Sequence, residues 1–181
     1  PVVIDAAPAF GSRKHGRQFG RGFSGAVVFS FHATKAFGIG EGGLVYSADS
    51  ALVQSLKRAS NFGFTSPGDA ATLGMNAKMP EVTAAVGLAT LDCFPGKIAT
   101  RQDIYHQYLQ QLTEKQVLAR GWAVQQQHGT VPSQFFPLLA PAVAAAERLM
   151  QVLAEDGIEY RRYFEPHCQQ QQAFSCFAGD S

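Results

Sequence analysis

The chain has 181 residues, of which 46% are hydrophobic and 16% are charged, and its formal net charge is +1. This composition is typical of a globular protein with a buried core and argues against disorder. The near-zero net charge gives no electrostatic case for a nucleic-acid partner or an acidic membrane surface. No uninterrupted apolar run approaches the roughly 18 residues that span a bilayer, so we expect no membrane segment. Three cysteines without metal-ligand spacing predict reduced thiols in a cytoplasmic protein and no metal site.

In the first part of the chain, short apolar runs alternate with segments rich in glycine. The apolar runs predict buried strands, and the first of them ends at Asp5. Asp49 or Ser47 can cap a helix that ends near Gly63. In chain order, the pattern predicts a strand at 2–4, a loop at 11–25, a strand at 26–31, a strand at 44–46 and the capped helix.

The middle of the chain predicts a long loop followed by two helices. Residues 61–79 are rich in Gly, Asn, Ser and Pro, and a loop of this length is usually functional or disordered. Pro80 is well placed to open a helix. The pair Pro95 and Gly96 should end it, with a second helix at about 97–112.

Beyond Trp122 the composition changes to a segment rich in glutamine, and we place a domain boundary there. The predicted domains are residues 1–121 and 122–181. The second should contain a strand at 135–139, a helix at 141–155 stopped by Gly157, and a strand at 158–164. Strands that alternate with helices indicate an α/β fold.

Residues 38–43 satisfy the dinucleotide-binding pattern G-x-G-x-x-G. That fingerprint requires a helix after the glycines, because the helix N-terminus binds the pyrophosphate. Here an apolar strand pattern follows at 44–46, so we reject a dinucleotide site.

Lys35 is the residue with the clearest chemical potential. It follows the apolar run at 26–31 and is the only charged residue between Arg21 and Glu41, so we expect it to enter the interior. Burial disfavours the ammonium form of a lysine and yields an amine nucleophile for Schiff-base chemistry. With Asp5 at a strand end, it matches the needs of pyridoxal 5'-phosphate (PLP), which uses a lysine and an acidic partner for its ring nitrogen. A surface-loop lysine and a helix-capping Asp5 remain alternatives on residue types alone.

Three motifs in order resemble the DegT/DnrJ/EryC1/StrS family of PLP-dependent nucleotide-sugar aminotransferases. Residues 3–7 (VIDAA) resemble the aspartate motif of that family. Residues 29–35 (FSFHATK), followed by 40–43 (GEGG), are similar to its lysine motif. Residues 74–79 (GMNAKM) resemble its Gly-x-Asn-x-x-Met segment.

The resemblance implies part of a fold type I large domain, like that of aspartate aminotransferase, with part of the small C-terminal α/β domain. It implies that Lys35 carries PLP and shuttles protons, that Asp5 pairs with the pyridinium nitrogen, and that Ser30 binds the cofactor phosphate. Asn76 would reach the phosphate in a neighbouring subunit, which implies a homodimer with shared active sites. A turn residue in the loop rich in Gly and Asn is the alternative for Asn76. His32 would approach the substrate, although a packed strand-end histidine is the equal alternative.

The implied reaction is transfer of an amino group, with glutamate as donor, to a nucleotide-linked keto-deoxysugar. The FHATK form of the lysine motif looks most like members that act at a 4-keto group. A related branch dehydrates sugars but replaces the lysine with histidine, so Lys35 argues against it. A non-catalytic member is the other alternative, since Pro8 stands where the family often has a glutamine that contacts the ring.

The family's N-terminal portion and closing C-terminal helix have no counterpart in these residues. We therefore expect the chain to be a piece of a longer protein. We also expect the 181 residues alone to bind the cofactor poorly.

Overall fold

The computed structural model of the protein, which describes residues 1–177, contains both strands and helices. The strands are β1 (Val3–Asp5), β2 (Arg13–Lys14), β3 (Arg17–Gln18), β4 (Ala26–Ser30), β5 (Gly43–Tyr46), β6 (Phe64–Ser66), β7 (Asp69–Ala70), β8 (Ala123–Val124) and β9 (Leu138–Leu139). The helices are α1 (Ser50–Ala59), α2 (Glu81–Glu114) and α3 (Val143–Glu155), with short 3-10 segments at Leu118–Arg120, Cys168–Gln170 and Gln172–Phe177. The predicted α/β class is confirmed.

A mixed sheet in the order β1-β4-β5 forms the centre of the fold. β1 and β4 run parallel, with Asp5 opposite Val28, whereas β4 and β5 are antiparallel, with Ser30 opposite Gly43. A parallel pair needs a crossover connection, and the chain between β1 and β4 provides it. This connection is not wholly irregular, because β2 and β3 form a small antiparallel hairpin within the predicted loop at 11–25. The carboxyl ends of β1 and β4 therefore meet at one edge.

The core lies against one face of β4. Val27 is fully buried and Phe29 is nearly so, which is the two-residue period of a strand with one face inward. Beyond the strand, the core continues as a cluster of four rings from Phe10, Phe31, Phe37 and Phe94, with ring-centroid distances of 4.8–5.8 Å. Several of these pairs are edge-to-face, the arrangement that aromatic quadrupoles favour. Phe94 thus packs α2 against the core of the sheet.

α1 begins as predicted, at a cap formed by Asp49. Its carboxylate Oδ1 accepts hydrogen bonds from the backbone N–H groups of Ala51 (2.8 Å) and Leu52 (3.3 Å). These are two of the N–H groups that a helix start leaves without partners. The helix ends at Ala59, earlier than the predicted end near Gly63.

The prediction that Pro95 and Gly96 separate two helices is wrong. α2 runs without interruption from Glu81 to Glu114, with Pro95 inside it. A proline inside a helix removes one hydrogen bond and crowds the preceding turn, at a cost of about 3 kcal/mol. Tertiary contacts on both sides of Pro95 offset that cost, because Phe94 is 3% exposed in the core and Tyr105 is 6% exposed further along.

By length and composition alone, α2 would qualify to cross a membrane, contrary to our expectation that no segment would. One such helix is weak support for a membrane span, since core helices of globular proteins meet the same criterion. The helix carries Asp92 and Lys97 near its middle. Charged groups at such a depth are costly in a bilayer.

The region after Trp122 contacts α2 through its backbone carbonyls. The hydroxyl of Tyr105 donates to the carbonyl of Gln125 at 2.7 Å, and Arg101 donates to the carbonyl of Ser133 at 2.8 Å. The domain boundary near 122 stays a prediction, and residues 178–181 of the second domain lie outside the described part of the chain.

Only one of the three elements predicted after residue 133 forms as expected. α3 is present, and Gly157 follows it with a φ of +70°, as predicted for a left-handed helix stop. The strand at 135–139 is limited to Leu138–Leu139. The prediction of a strand at 158–164 is wrong, because those residues are exposed and pair with no strand within residues 1–177. An apolar pattern alone does not make a strand without a neighbour that completes its hydrogen bonds.

Candidate active site

The sheet edge at the ends of β1 and β4 brings two of the predicted site residues together. Asp5 is the last residue of β1, and Ser30 is the last residue of β4. The parallel register continues past the strand ends, since the N–H of Ala6 donates to Val28 and that of Ser30 donates to Ala7. Asp5 and Ser30 therefore lie along the same edge. No helix begins directly after Asp5, so the alternative that Asp5 caps a helix is excluded.

Lys35 lies in the connection between β4 and β5, which we call the lysine loop (residues 31–42). Backbone bonds close this loop: the N–H of Phe31 donates to the carbonyl of Gly42 at 2.8 Å, and that of Ala33 to Gly40 at 2.7 Å. Gly38 is required by the close approach within the loop, because a Cβ there would lie 2.5 Å from the carbonyl oxygen of Ala33. The loop is thus a closed, fixed structure.

The lysine itself is partly buried, and the apolar residues directly after it, Ala36 and Phe37, lie in the core. The chain therefore enters the interior at Lys35, as expected. The ammonium group of Lys35 makes no hydrogen bond or ion pair with any residue in the range 1–177. The loop therefore holds the backbone of Lys35 and leaves its amine unengaged.

Asp5 and Ser30 each keep capacity for a ligand. One carboxylate oxygen of Asp5 accepts from the N–H of Ala7 at 3.0 Å, and the other has no hydrogen bond within the described residues. The hydroxyl of Ser30 accepts from the N–H of His32 at 3.3 Å, which leaves its own proton free to donate. Asp5 and Ser30 thus keep an acceptor and a donor at the sheet edge.

Asn76 lies in a different segment from the other site residues. It forms an isolated bridge with Asn61, and its side-chain oxygen accepts from the ammonium of Lys78 at 2.8 Å. Within residues 1–177 it makes no hydrogen bond to Asp5, Ser30 or Lys35. Its segment still touches the lysine loop, since a Cβ on Gly42 would lie 3.1 Å from the terminal methyl of Met79.

Two residues around His32 were not identified from the sequence. The ring Nδ1 of His32 lies 2.9 Å from the hydroxyl of Thr34, and its Nε2 lies 3.6 Å from a carboxylate oxygen of Glu41. The contact with Thr34 is local, two residues along the chain, whereas Glu41 comes near His32 because the loop closes. The alternation of polar residues at 32 and 34 was the only available signal, and it does not predict the closure.

The family model for the DegT/DnrJ/EryC1/StrS aminotransferase family matches residues 1–179. The chain belongs to this family. The predicted resemblance is therefore confirmed over nearly the whole chain.

The chain is similar to several nucleotide-sugar and PLP-dependent aminotransferases. The dTDP-4-amino-4,6-dideoxy-D-glucose transaminase of Shigella dysenteriae is 31% identical over 180 residues, which are 96% of this chain and 47% of that protein. A Bacillus cereus protein assigned as a PLP-dependent aminotransferase superposes with a TM-score of 0.90 and 42% identity, over 97% of this chain and 47% of that one. DesI, solved with its TDP-sugar product, gives a TM-score of 0.77 and 35% identity over 95% of this chain and 44% of that one.

These comparisons confirm the predicted fold, a partial fold type I α/β domain. The chain spans about half the length of the relatives it matches. The family and its solved members are PLP-dependent, which confirms the cofactor predicted for it.

The chemistry of Asp5, Ser30 and Lys35 fits the functional groups of PLP. PLP offers an aldehyde, a ring nitrogen and a phosphate, which call for a primary amine, a carboxylate and hydrogen-bond donors respectively. Lys35, Asp5 and Ser30 supply one of each, and each has an unengaged atom. The role assigned to each residue stays a prediction.

Two cavities among the described residues are lined by residues other than Asp5, Ser30 and Lys35. One, of about 360 Å³, is lined by the basic hairpin residues Lys14 and Arg17 together with Arg21. The other, of about 280 Å³, lies between Arg162 and Gln170. Neither is lined by Lys35. Within residues 1–177 no cluster of three or more His, Cys, Asp or Glu side chains could hold a metal ion.

Proposed function

We propose that the protein containing this chain is a PLP-dependent transaminase that aminates a nucleotide-linked keto-deoxysugar. The observation that carries the proposal is the free amine of Lys35 on a closed loop beside Asp5 and Ser30. Membership in an aminotransferase family with nucleotide-sugar relatives supports the substrate class. Bound PLP would supply an electron sink for the carbanion formed at the amino carbon.

Each residue has a distinct task in this proposal. The amine of Lys35 holds the cofactor covalently and, once released, moves a proton between the amino carbon and the cofactor. The carboxylate of Asp5 pairs with the ring nitrogen and keeps it protonated, since an opposite charge favours the charged form. The hydroxyl of Ser30 donates to the phosphate, and His32 contacts the substrate.

Finer features belong to the same proposal. The keto group is at C4, which the name of the Shigella relative supports, and glutamate is the amino donor. Asn76 reaches the phosphate site of a second subunit, so the enzyme is a homodimer with shared sites. The assignment of Asn76 is supported by its position in a separate segment, because within residues 1–177 it makes no hydrogen bond to Asp5, Ser30 or Lys35. The location is cytoplasmic.

A sugar dehydratase of the same fold is the second candidate. The related branch of the family has a histidine in place of the lysine, and the presence of Lys35 favours transamination. A non-catalytic family member is the third candidate, and the absence of cofactor binding in the full-length protein would favour it.

The decisive experiment replaces Lys35 with alanine in the full-length protein, with Lys57→Ala on exposed α1 as the matched control. Lys35→Ala should lose the visible absorbance of attached cofactor, the mass adduct trapped by borohydride, and transamination of a nucleotide-linked 4-keto sugar. Lys57→Ala should keep all three. Transamination that survives Lys35→Ala would show the mechanism to be wrong, and a dehydrated sugar product would favour the second candidate.

The isolated 181-residue chain should bind the cofactor weakly. A strong visible band after PLP is added to that chain would contradict this expectation.

A further inference from the structure

Within residues 1–177, the Nδ1 atom of the His32 ring has hydrogen-bond contacts only with Thr34. This atom lies 3.2 Å from the backbone nitrogen of Thr34 and 2.9 Å from the hydroxyl of the same residue. A backbone N–H can only donate a hydrogen bond. Nδ1 must therefore offer its lone pair, and it carries no proton in this arrangement.

A neutral imidazole with an unprotonated Nδ1 carries its proton on Nε2. The neighbour of Nε2 agrees with this assignment, because a carboxylate oxygen of Glu41 lies 3.6 Å away. That separation is too long for a hydrogen bond, but a carboxylate still favours an N–H over a lone pair facing it. The donor is accessible, since the side chain of His32 is 46% exposed and that of Glu41 is 85% exposed.

The lysine loop places this donor close to Lys35. The N–H of Lys35 donates to the carbonyl of His32 at 2.9 Å, so the two residues share one turn. The bond between Ala33 and Gly40 then brings Glu41 across from His32. The histidine and the free amine are thus parts of one closed structure.

We propose that Thr34 is a positioning residue that fixes His32 as its Nε2–H tautomer, so that His32 offers the site a hydrogen-bond donor and not a base. The ligand group that fits such a donor is an oxygen acceptor, such as a sugar keto or hydroxyl oxygen. This inference rests on the proposed function for its substrate. It leaves Lys35 as the group that moves the proton.

The tautomer can be measured without substrate or activity. Protein labelled with ¹⁵N-histidine is studied by long-range proton–nitrogen spectra at a pH where imidazole is neutral. His32 should show a proton-bearing Nε2 and a bare Nδ1. His15, His106 and His128, whose ring nitrogens have no hydrogen bond within residues 1–177, serve as unbiased references. A proton on Nδ1 of His32, or a tautomer ratio equal to that of the references, would overturn the proposal.

Variants of Thr34 test the positioning role. Thr34→Val removes the hydroxyl but keeps the backbone N–H, so it should shift the His32 signals part of the way towards the reference histidines, whereas Thr34→Ser keeps both groups and should leave the signals unchanged. Thr34 is exposed, so both variants should fold. Identical His32 signals in the valine and serine variants would rule out a role for the hydroxyl.

Kinetics separate a donor from a base. His32→Ala should lower kcat/KM by about three- to tenfold, the size of one lost hydrogen bond. His32→Gln carries an amide N–H in place of Nε2–H and should recover most of that loss. Equal losses in the two variants would contradict a donor role. Because the spectra need no turnover, an inactive protein whose His32 shows the Nε2–H tautomer would refute the proposed function alone.

Discussion

The substitution Gly63→Ala should strongly destabilise the segment that carries Asn76. Gly63 has a φ of +75°, and a Cβ built on it would lie 1.7 Å from the carbonyl oxygen of Thr72. Real side chains do not approach a backbone oxygen so closely, so the backbone would have to move. The same segment is held by the bond from the N–H of Met75 to the carbonyl of Ala59, at 2.8 Å.

The magnitude follows from two separable costs. A left-handed backbone costs an alanine about 1–2 kcal/mol relative to glycine. Forcing an extra methyl into a packed site adds about 1–3 kcal/mol. Gly68 is the matched control, because its φ of +81° carries the first cost while nothing lies within 4 Å of its Cβ position. We therefore expect a loss of about 2–5 kcal/mol for Gly63→Ala, and of about 1–2 kcal/mol for Gly68→Ala.

Urea unfolding followed by circular dichroism measures both losses. The two variants should also differ in cofactor affinity in the full-length protein if Asn76 binds phosphate as proposed. If Gly63→Ala and Gly68→Ala lose the same stability within about 0.5 kcal/mol, the close contact with Thr72 does not exist in solution and the reasoning fails.

Two further substitutions test how α2 is tied to the rest of the chain. Phe94→Ala should cost about 3–5 kcal/mol in unfolding free energy because the ring is 3% exposed in the core, whereas Leu88→Ala, 67% exposed on the same helix, should change it by about 0.5 kcal/mol or less. Equal losses would mean that α2 is not anchored through Phe94. Tyr105→Phe should cost about 1 kcal/mol because it deprives the carbonyl of Gln125 of its donor, while Tyr108→Phe, on an exposed ring, should be nearly neutral. Denaturant titration compares each pair, and a neutral Tyr105→Phe would contradict the hydrogen bond.

The sequence predicted those elements whose signal is local. Asp49 caps α1 because its side chain bonds to N–H groups two and three residues later, which no distant residue affects. Gly157 stops α3 for the same kind of reason, since its positive φ is a property of one residue. The strand ending at Asp5 was also predictable from its short apolar run.

Errors arose where distant contacts decide the local structure. Pro95 should end a helix on its own, yet the burial of Phe94 next to it keeps α2 continuous. Residues 158–164 have a suitable pattern for a strand, but within the described chain no neighbour pairs with them. Glu41 lies near His32 only through closure of the lysine loop.

The position of Lys35 was also predicted from its neighbours, and the packing around it bears on the proposed mechanism. The buried residues of the lysine loop are Phe31, Ala36 and Phe37, and they hold the backbone on both sides of the lysine. A lysine that binds a cofactor covalently and later carries a proton must keep a fixed Cα and a mobile amine. A loop without core packing would not keep the Cα in place. The closed loop holds the backbone of Lys35, and its amine has no partner within residues 1–177, so core packing by Phe37 and the role proposed for Lys35 depend on the same turn.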